Sequence, residues 1–226
     1  MKKEVSKQDF ILGRYDPLEQ PEFVFIENKY ADRDSMMLQE EAYEAFLKMA
    51  AAGEADGYSF CILSATRNFT YQKYLWENKW NGVFPINGTI NAMEEYPDGL
   101  IRAKKILEYS AMPGTSRHHW GTDIDINGLE NEYFEEKEGK AWYEWMKKNA
   151  ARFGFYQPYS KYSKERPTGY KEEKWHWTYL PLARRYTIEA ASLITDKMID
   201  GFAGSEYSDR LDLVNNYILG IPPECK

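Results

Sequence analysis

SRHHWGTDIDI, residues 116–126, sets two of the chain's three histidines side by side and follows them with two aspartates. The alternation Asp123, Ile124, Asp125, Ile126 reads as a short strand with one polar and one apolar face. Run straight back through Gly121, such a strand would put His118 and Asp125 on opposite faces. Gly121 allows the bend or bulge that brings both inward. Spacing alone leaves Asp123 and Asp125 equivalent, because they share a face, and leaves His119 as eligible as His118. The third histidine, His176, stands in WHWTYL, an aromatic, β-prone run at 175–180.

A catalytic zinc takes three protein ligands, imidazole or carboxylate, and keeps one position open. His118, Asp125 and His176 supply such a set. Glu173, three residues before His176, is placed to act as a base if it lies in the turn entering the strand. An offset of three within a regular strand would turn it to the other face.

Further out, residues 1–37 read as irregular around a short apolar piece, FVFI. A helix is expected from Leu38, carried by Ala42, Ala45, Phe46 and Met49 and ended by Ala-Ala-Gly at 51–53. Tyr58–Leu63 reads as a buried strand, Tyr71–Trp80 as a helix stopped by Gly82, and 81–98 as a long loop. Leu100–Tyr109 is helical in pattern, and the acidic stretch ENEYFEEKEGK, 130–140, reads as solvated surface. Trp142, Trp145, Met146, Asn149 and Phe153 mark an amphipathic helix closed by Gly154. From Pro181 the chain reads as helical to its end, with Gly201 and Gly204 dividing two helices. Few, short strands among helices give an α+β class rather than a doubly wound parallel sheet.

Length and composition bound the function. At 226 residues, 43% of them hydrophobic, one domain over 1–226 with a sizeable core is expected. A net charge of −7 argues against a nucleic-acid partner. No apolar run reaches the roughly 20 residues of a transmembrane segment. The start, MKKEVSKQDF, shows no apolar stretch of a signal peptide. A periplasmic or cell-envelope protein is expected if a signal was removed, and a cytoplasmic one otherwise. Cys61 reads as a small core residue and Cys225 as part of a frayed end, so no disulfide framework is expected.

Three motifs together resemble the VanY-type D-alanyl-D-alanine carboxypeptidases, of the LAS group of zinc peptidases. They are S-x-H-x-x-G-x-x-x-D at Ser116, His118, Gly121 and Asp125, E-x-W-H at Glu173, Trp175 and His176, and SATRNFTYQ, which carries Arg67 and Gln72. They come in the family's order and span roughly residues 38–180, leaving 181–226 as a helical extension. The resemblance implies a small central antiparallel sheet flanked by helices, the LAS/hedgehog-like fold. It implies zinc held by His118, Asp125 and His176, and Glu173 as general base and acid. Arg67 would bind a substrate carboxylate or polarise its carbonyl, Ser116 would hydrogen-bond the substrate, and Gln72 would bind substrate or brace Arg67. The family usually has a small residue where Asp123 stands; its register selects Asp125 for the metal and leaves Asp123 to orient an imidazole. The same register puts His119 outside the ligand set. Trp175 and Trp177 are read as core or as pocket wall.

The expected substrate is a peptidoglycan stem peptide or muropeptide, cut as a carboxypeptidase. Endopeptidase action and D-Ala-D-Ala dipeptidase action are the alternatives within the family. A non-catalytic zinc module of hedgehog type is the rival outside it, and Glu173 speaks against that rival, since a binding module needs no base.

Overall fold

The computed structural model describes residues 5–226. In chain order its elements are α1 (Lys7–Ile11), β1 (Phe23–Phe25), β2 (Met37–Gln39), α2 (Glu40–Ala55), β3 (Ile62–Ser64), α3 (Phe69–Trp80), α4 (Ala92–Glu95), α5 (Gly99–Ile106), β4 (Asp123–Ile126), α6 (Lys137–Asn149), β5 (Phe155–Tyr156), β6 (His176–Tyr179), α7 (Leu180–Leu193) and α8 (Ser208–Leu211). Four strands form one antiparallel sheet in the order β3-β4-β6-β5, and β1 and β2 form a separate antiparallel pair. The class is α+β, with small antiparallel sheets flanked by helices, as the sequence pattern and the family resemblance imply.

The register of β4 on β6 pairs Asp125 with His176, Ile124 with Trp177 and Asp123 with Thr178. Side chains alternate along a strand. Asp123, Asp125, His176 and Thr178 therefore share one face, and Ile124, Ile126 and Trp177 the other. The apolar face packs with Phe46 and Met49 of α2 and with Trp142 and Met146 of α6. A second apolar cluster collects Trp76 of α3, Ile106 of α5, Trp120, Tyr186 of α7 and Ile218 near the C-terminus. Both faces of β4 and β6 are buried.

Several expected boundaries move, each for a nameable reason. Residues 1–37 are not irregular throughout: beyond residues 1–4, which lie outside the described part, Ser6 caps α1 and FVF becomes β1. Because β1 pairs with Met37–Gln39, those residues are strand, and α2 starts at Glu40 rather than Leu38. The helix also runs past Ala-Ala-Gly to Ala55, with Gly53 packed so closely on Phe60 that a Cβ would sit 2.4 Å from its ring. The strand expected at 58–63 narrows to Ile62–Ser64, where β4 lies alongside. Asn68 caps α3, which starts at Phe69, two residues before Tyr71. The loop at 81–98 contains the short α4, capped by Asn91.

Past residue 180 only α7 is long; beyond Gly204 the expected second helix is broken into the four-residue α8, a five-residue π-helical segment at Val214–Ile218 and short turns. Cys225 is buried, not frayed, and Cys61 is only half-buried; both are free thiols. Among the described residues no helix is long and apolar enough to cross a membrane.

Candidate active site

His118 does not lie on a strand. Residues Arg117–Trp120 form a single 3-10 turn, and Gly121 ends it at φ +67°, in the left-handed region. A Cβ on Gly121 would sit 2.3 Å from the Phe23 ring, so both backbone conformation and space call for glycine. The turn replaces the expected bulge and drops His118 onto the polar face of β4.

Hydrogen bonds fix each imidazole's free nitrogen. His118 Nδ1 donates to the Ala65 carbonyl at 2.8 Å, which leaves the Nε2 lone pair open. His176 Nε2 donates to Asp123 Oδ2 at 2.9 Å, which leaves Nδ1 open. His119 spends both nitrogens: Nδ1 donates to the Arg67 carbonyl at 2.6 Å, and Nε2 accepts the Gly114 N–H at 3.0 Å. Burial lowers the His119 pKa to about 3, so it stays neutral and serves as a brace. The choice between adjacent histidines, open in the sequence, is decided by which one keeps a lone pair.

The two aspartates divide in the same way. Asp123 accepts four hydrogen bonds: from Thr122 and Thr178 hydroxyls at 2.7 Å each, from Arg117 Nε at 3.0 Å, and from His176. Arg117 is fully buried, and its other nitrogens donate to Thr187 and Thr178. Asp125 is different. Its Oδ1 and the Nε2 of His118 are buried without a hydrogen-bond partner. They nevertheless crowd together: His118 Nε2 lies 3.3 Å from Asp125 Oδ2, and His176 Nδ1 lies 3.1 Å from Asp125 Oδ1. Ligand atoms of His118, Asp125 and His176 all fall within 4.8 Å of one another. Buried acceptors aimed at one point with nothing to bond are what a divalent cation satisfies. The donor set fits a metal.

Glu173 sits beside that point, with Oε2 3.4 Å from His176 Nδ1. It lies in the turn entering β6, as its offset requires. Its N–H donates to the Tyr159 carbonyl at 2.9 Å, and its carbonyl accepts from Gln157 Nε2 at 3.0 Å and from the His176 N–H at 3.3 Å. Burial pushes its carboxyl pKa up, against the pull of His176 and Arg67.

Glu173 and Asp125 line a cavity of about 600 Å³, together with Arg67, Lys79, Ser110, Tyr109 and Trp175. Arg67 is pinned through its backbone: its N–H donates to the His118 carbonyl at 3.1 Å, and its own carbonyl holds His119. Its guanidinium faces the cavity, with Nε buried and unbonded. Trp175 is both wall and core, whereas Trp177 packs into the core alone and donates to the Lys174 carbonyl. Ser116 and Gln72 are buried and do not line the cavity. Gln72 donates to the Ala111 carbonyl at 2.8 Å and makes no hydrogen bond to Arg67.

Sequence reasoning missed three contributors. Arg117, which no motif position marks, is the buried counter-charge of Asp123. Lys79 had no motif to mark it. The acidic stretch is not simply solvated surface: Glu130, Asn131 and Glu132 line the cavity, Phe134 is buried, and Asn131 bonds the backbone on both sides of Glu173.

The family model for VanY, D-alanyl-D-alanine carboxypeptidase, matches residues 35–182. The chain belongs to this family. YodJ of Bacillus subtilis, which carries a provisional carboxypeptidase name, is 31% identical over 186 residues, covering 78% of this chain and 58% of that protein. A D-alanyl-D-alanine carboxypeptidase of Enterococcus faecalis is 37% identical over 132 residues, covering 50% of this chain and 44% of the relative. The chain thus spans about half the length of the curated relatives it matches. Among solved structures, a vancomycin-resistance D,D-pentapeptidase VanY in complex with Zn(II) superposes with a TM-score of 0.53 at 24% identity, covering 82% of this chain and 88% of that one. That likeness shows a shared fold. Family membership agrees with the three motifs, which all fall within the matched span.

Proposed function

We propose that this member of the family is a zinc peptidase that releases the terminal residue from peptidoglycan stem peptides ending in D-alanyl-D-alanine. The observation that carries the reading is the convergence of three open ligand atoms beside a buried carboxylate on the wall of a cavity. The zinc in the related D,D-pentapeptidase structure and the carboxypeptidase name of the Enterococcus relative support the choice of metal and substrate. With such a substrate, the proposed place of action is the cell envelope if a signal was removed from the chain, and the cytoplasm otherwise.

His118, Asp125 and His176 hold the metal through Nε2, a carboxylate oxygen and Nδ1. Zinc, when bound, supplies Lewis acidity that polarises a carbonyl and makes water more acidic. Glu173 takes the proton of the attacking water on Oε2 and returns it to the leaving amine nitrogen. Burial raises its pKa above the ordinary carboxylate value, the direction that helps it keep the proton between the two transfers. Arg67 offers a permanent charge to the substrate's carbonyl or carboxylate. Ser116, buried outside the cavity lining, holds the turn instead, its carbonyl accepting the His119 N–H at 3.1 Å. Gln72 steadies the chain before Pro113 from α3.

The test is D-alanine release from an acylated pentapeptide ending in D-Ala-D-Ala by the zinc-loaded protein, measured by mass spectrometry. Release that is slower from L-Ala-ended and amidated peptides supports the carboxypeptidase. Equal cleavage of amidated and cross-linked peptides makes it an endopeptidase, and cleavage restricted to free D-Ala-D-Ala makes it a dipeptidase. Tight zinc binding without hydrolysis of any of them overturns the reading in favour of a binding module.

A further inference from the structure

Four cationic side chains line the cavity: Arg33, Arg67, Lys79 and Lys171. Two of them are neutralised within the wall, Arg33 by Asp32 at 3.2 Å and Lys171 by Glu108 at 2.8 Å. Arg67 and Lys79 form no ion pair with a carboxylate among the described residues. Lys79 comes from the last turn of α3, and its Nζ donates to the Ser110 hydroxyl, just past α5. A neutral hydroxyl orients an ammonium but does not balance its charge. Burial, the charge of Arg67 and a partial offset from Glu173 set the Lys79 pKa at about 8, well below that of a free lysine. Arg67 and Lys79 repel each other. Asp125, Glu130, Glu132 and Glu173 line the same cavity, but none of them forms an ion pair with either cation, and an anion placed between the two relieves their repulsion.

We propose that Lys79, aimed by Ser110, is the anchor for the substrate's terminal carboxylate, leaving Arg67 free to act on the scissile carbonyl. The proposal rests on the peptidase reading above and deepens it. Arg67 is tied through its own backbone to His118 and to the brace His119, so its position is set by the turn that carries His118. Lys79 is tied instead to α3 and Ser110, a different part of the wall. A carboxypeptidase has two separate demands, charge on the reacting carbonyl and recognition of a free end, and these two cations meet one each. A purely structural lysine would merely clip α3 to the chain after α5.

The two roles separate in a binding measurement. Zinc-loaded Glu173→Gln protein is titrated calorimetrically with a peptide ending in D-Ala-D-Ala, once as free acid and once as C-terminal amide. The free acid is expected to bind about ten- to a hundredfold more tightly, the scale of a charge-assisted hydrogen bond. Adding Lys79→Met is expected to abolish most of that preference with little change for the amide, and Lys79→Arg to restore part of it. Lys79→Gln, checked with the others by circular dichroism, guards against a Met-specific packing effect. An acid-to-amide ratio unchanged in Lys79→Met and Lys79→Gln overturns the anchor while leaving the peptidase reading intact. Failure of both peptides to bind any variant that retains zinc overturns the two together.

Discussion

Asp123 and Asp125 stand two positions apart on one strand face, and their hydrogen bonds give them opposite tasks. Asp123 is saturated by two hydroxyls, a guanidinium and an imidazole; Asp125 keeps an oxygen with no partner. Asp125→Asn is therefore expected to abolish tight zinc binding. Asp123→Asn, which loosens the hold on His176 and also strips buried Arg117 of its counter-charge, is expected to cost about 10–100-fold in metal affinity and to lower stability as well. Chelator-competition titration of folded protein checks the order, and the reverse order would transfer the metal to Asp123. Glu173→Gln retains shape and every backbone bond at that position, but an amide cannot take a proton. It should bind zinc normally while kcat falls by about 10²–10⁴. Near-normal turnover would remove Glu173 from the role of base. The ligand residues were legible in the sequence because imidazoles are scarce there and the motif spacing is specific. Their tautomers were not: the Ala65 carbonyl fixes His118 and Asp123 fixes His176, contacts across the fold that spacing along the chain does not specify.

The Arg117–Trp120 turn is the element on which the site depends. It is clasped from outside the motif region: the Gln39 side chain donates to the Trp120 carbonyl, the Tyr15 hydroxyl to the His119 carbonyl, and Trp120 Nε1 to the Ile11 carbonyl. Residues before the motifs thus serve as its outer support, and Thr187 of α7 does the same for Arg117. Gly121→Ala should cost about 1–3 kcal/mol from backbone strain and a similar amount from overpacking against Phe23. Urea denaturation should show the lowered midpoint; an unchanged midpoint would mean that the turn relaxes freely. Periodicity found α2, α3, α5 and α6 because each buries one regular face, and β4 because its aspartates and isoleucines alternate, although both its faces are buried. It missed β1 and β2, three residues each, because a strand that short is defined by its partner rather than by its own pattern. It also overextended the C-terminal helix, where apolar residues fill irregular turns against Trp76 and Tyr170.

Across the whole molecule, the metal ligands join pieces that fold from distant parts of the chain. His118 belongs to the turn braced by the N-terminal segment, Asp125 to the middle strand, and His176 to the strand that leads into α7. Without a cation, their ligand atoms, all within 4.8 Å of one another, need protons or water to offset their repulsion, which opposes the docking of turn, strand and strand. A cation that binds the folded chain and not the unfolded one stabilises it by mass action, about 4 kcal/mol at free metal a thousandfold above its Kd. For a chain of this size each kcal/mol moves Tm by roughly 2–4 °C. Stripping zinc from protein held at that excess should therefore lower Tm by roughly 8–16 °C. Differential scanning calorimetry with and without chelator measures it. His118→Ala and His176→Ala should melt at temperatures that chelator does not change, while Glu173→Gln, which leaves the ligands in place, should show the full shift. A chelator-sensitive melt in either histidine variant would mean that the stabilising cation sits elsewhere. A Tm shift lost in Glu173→Gln would place that carboxylate among the ligands instead of beside them.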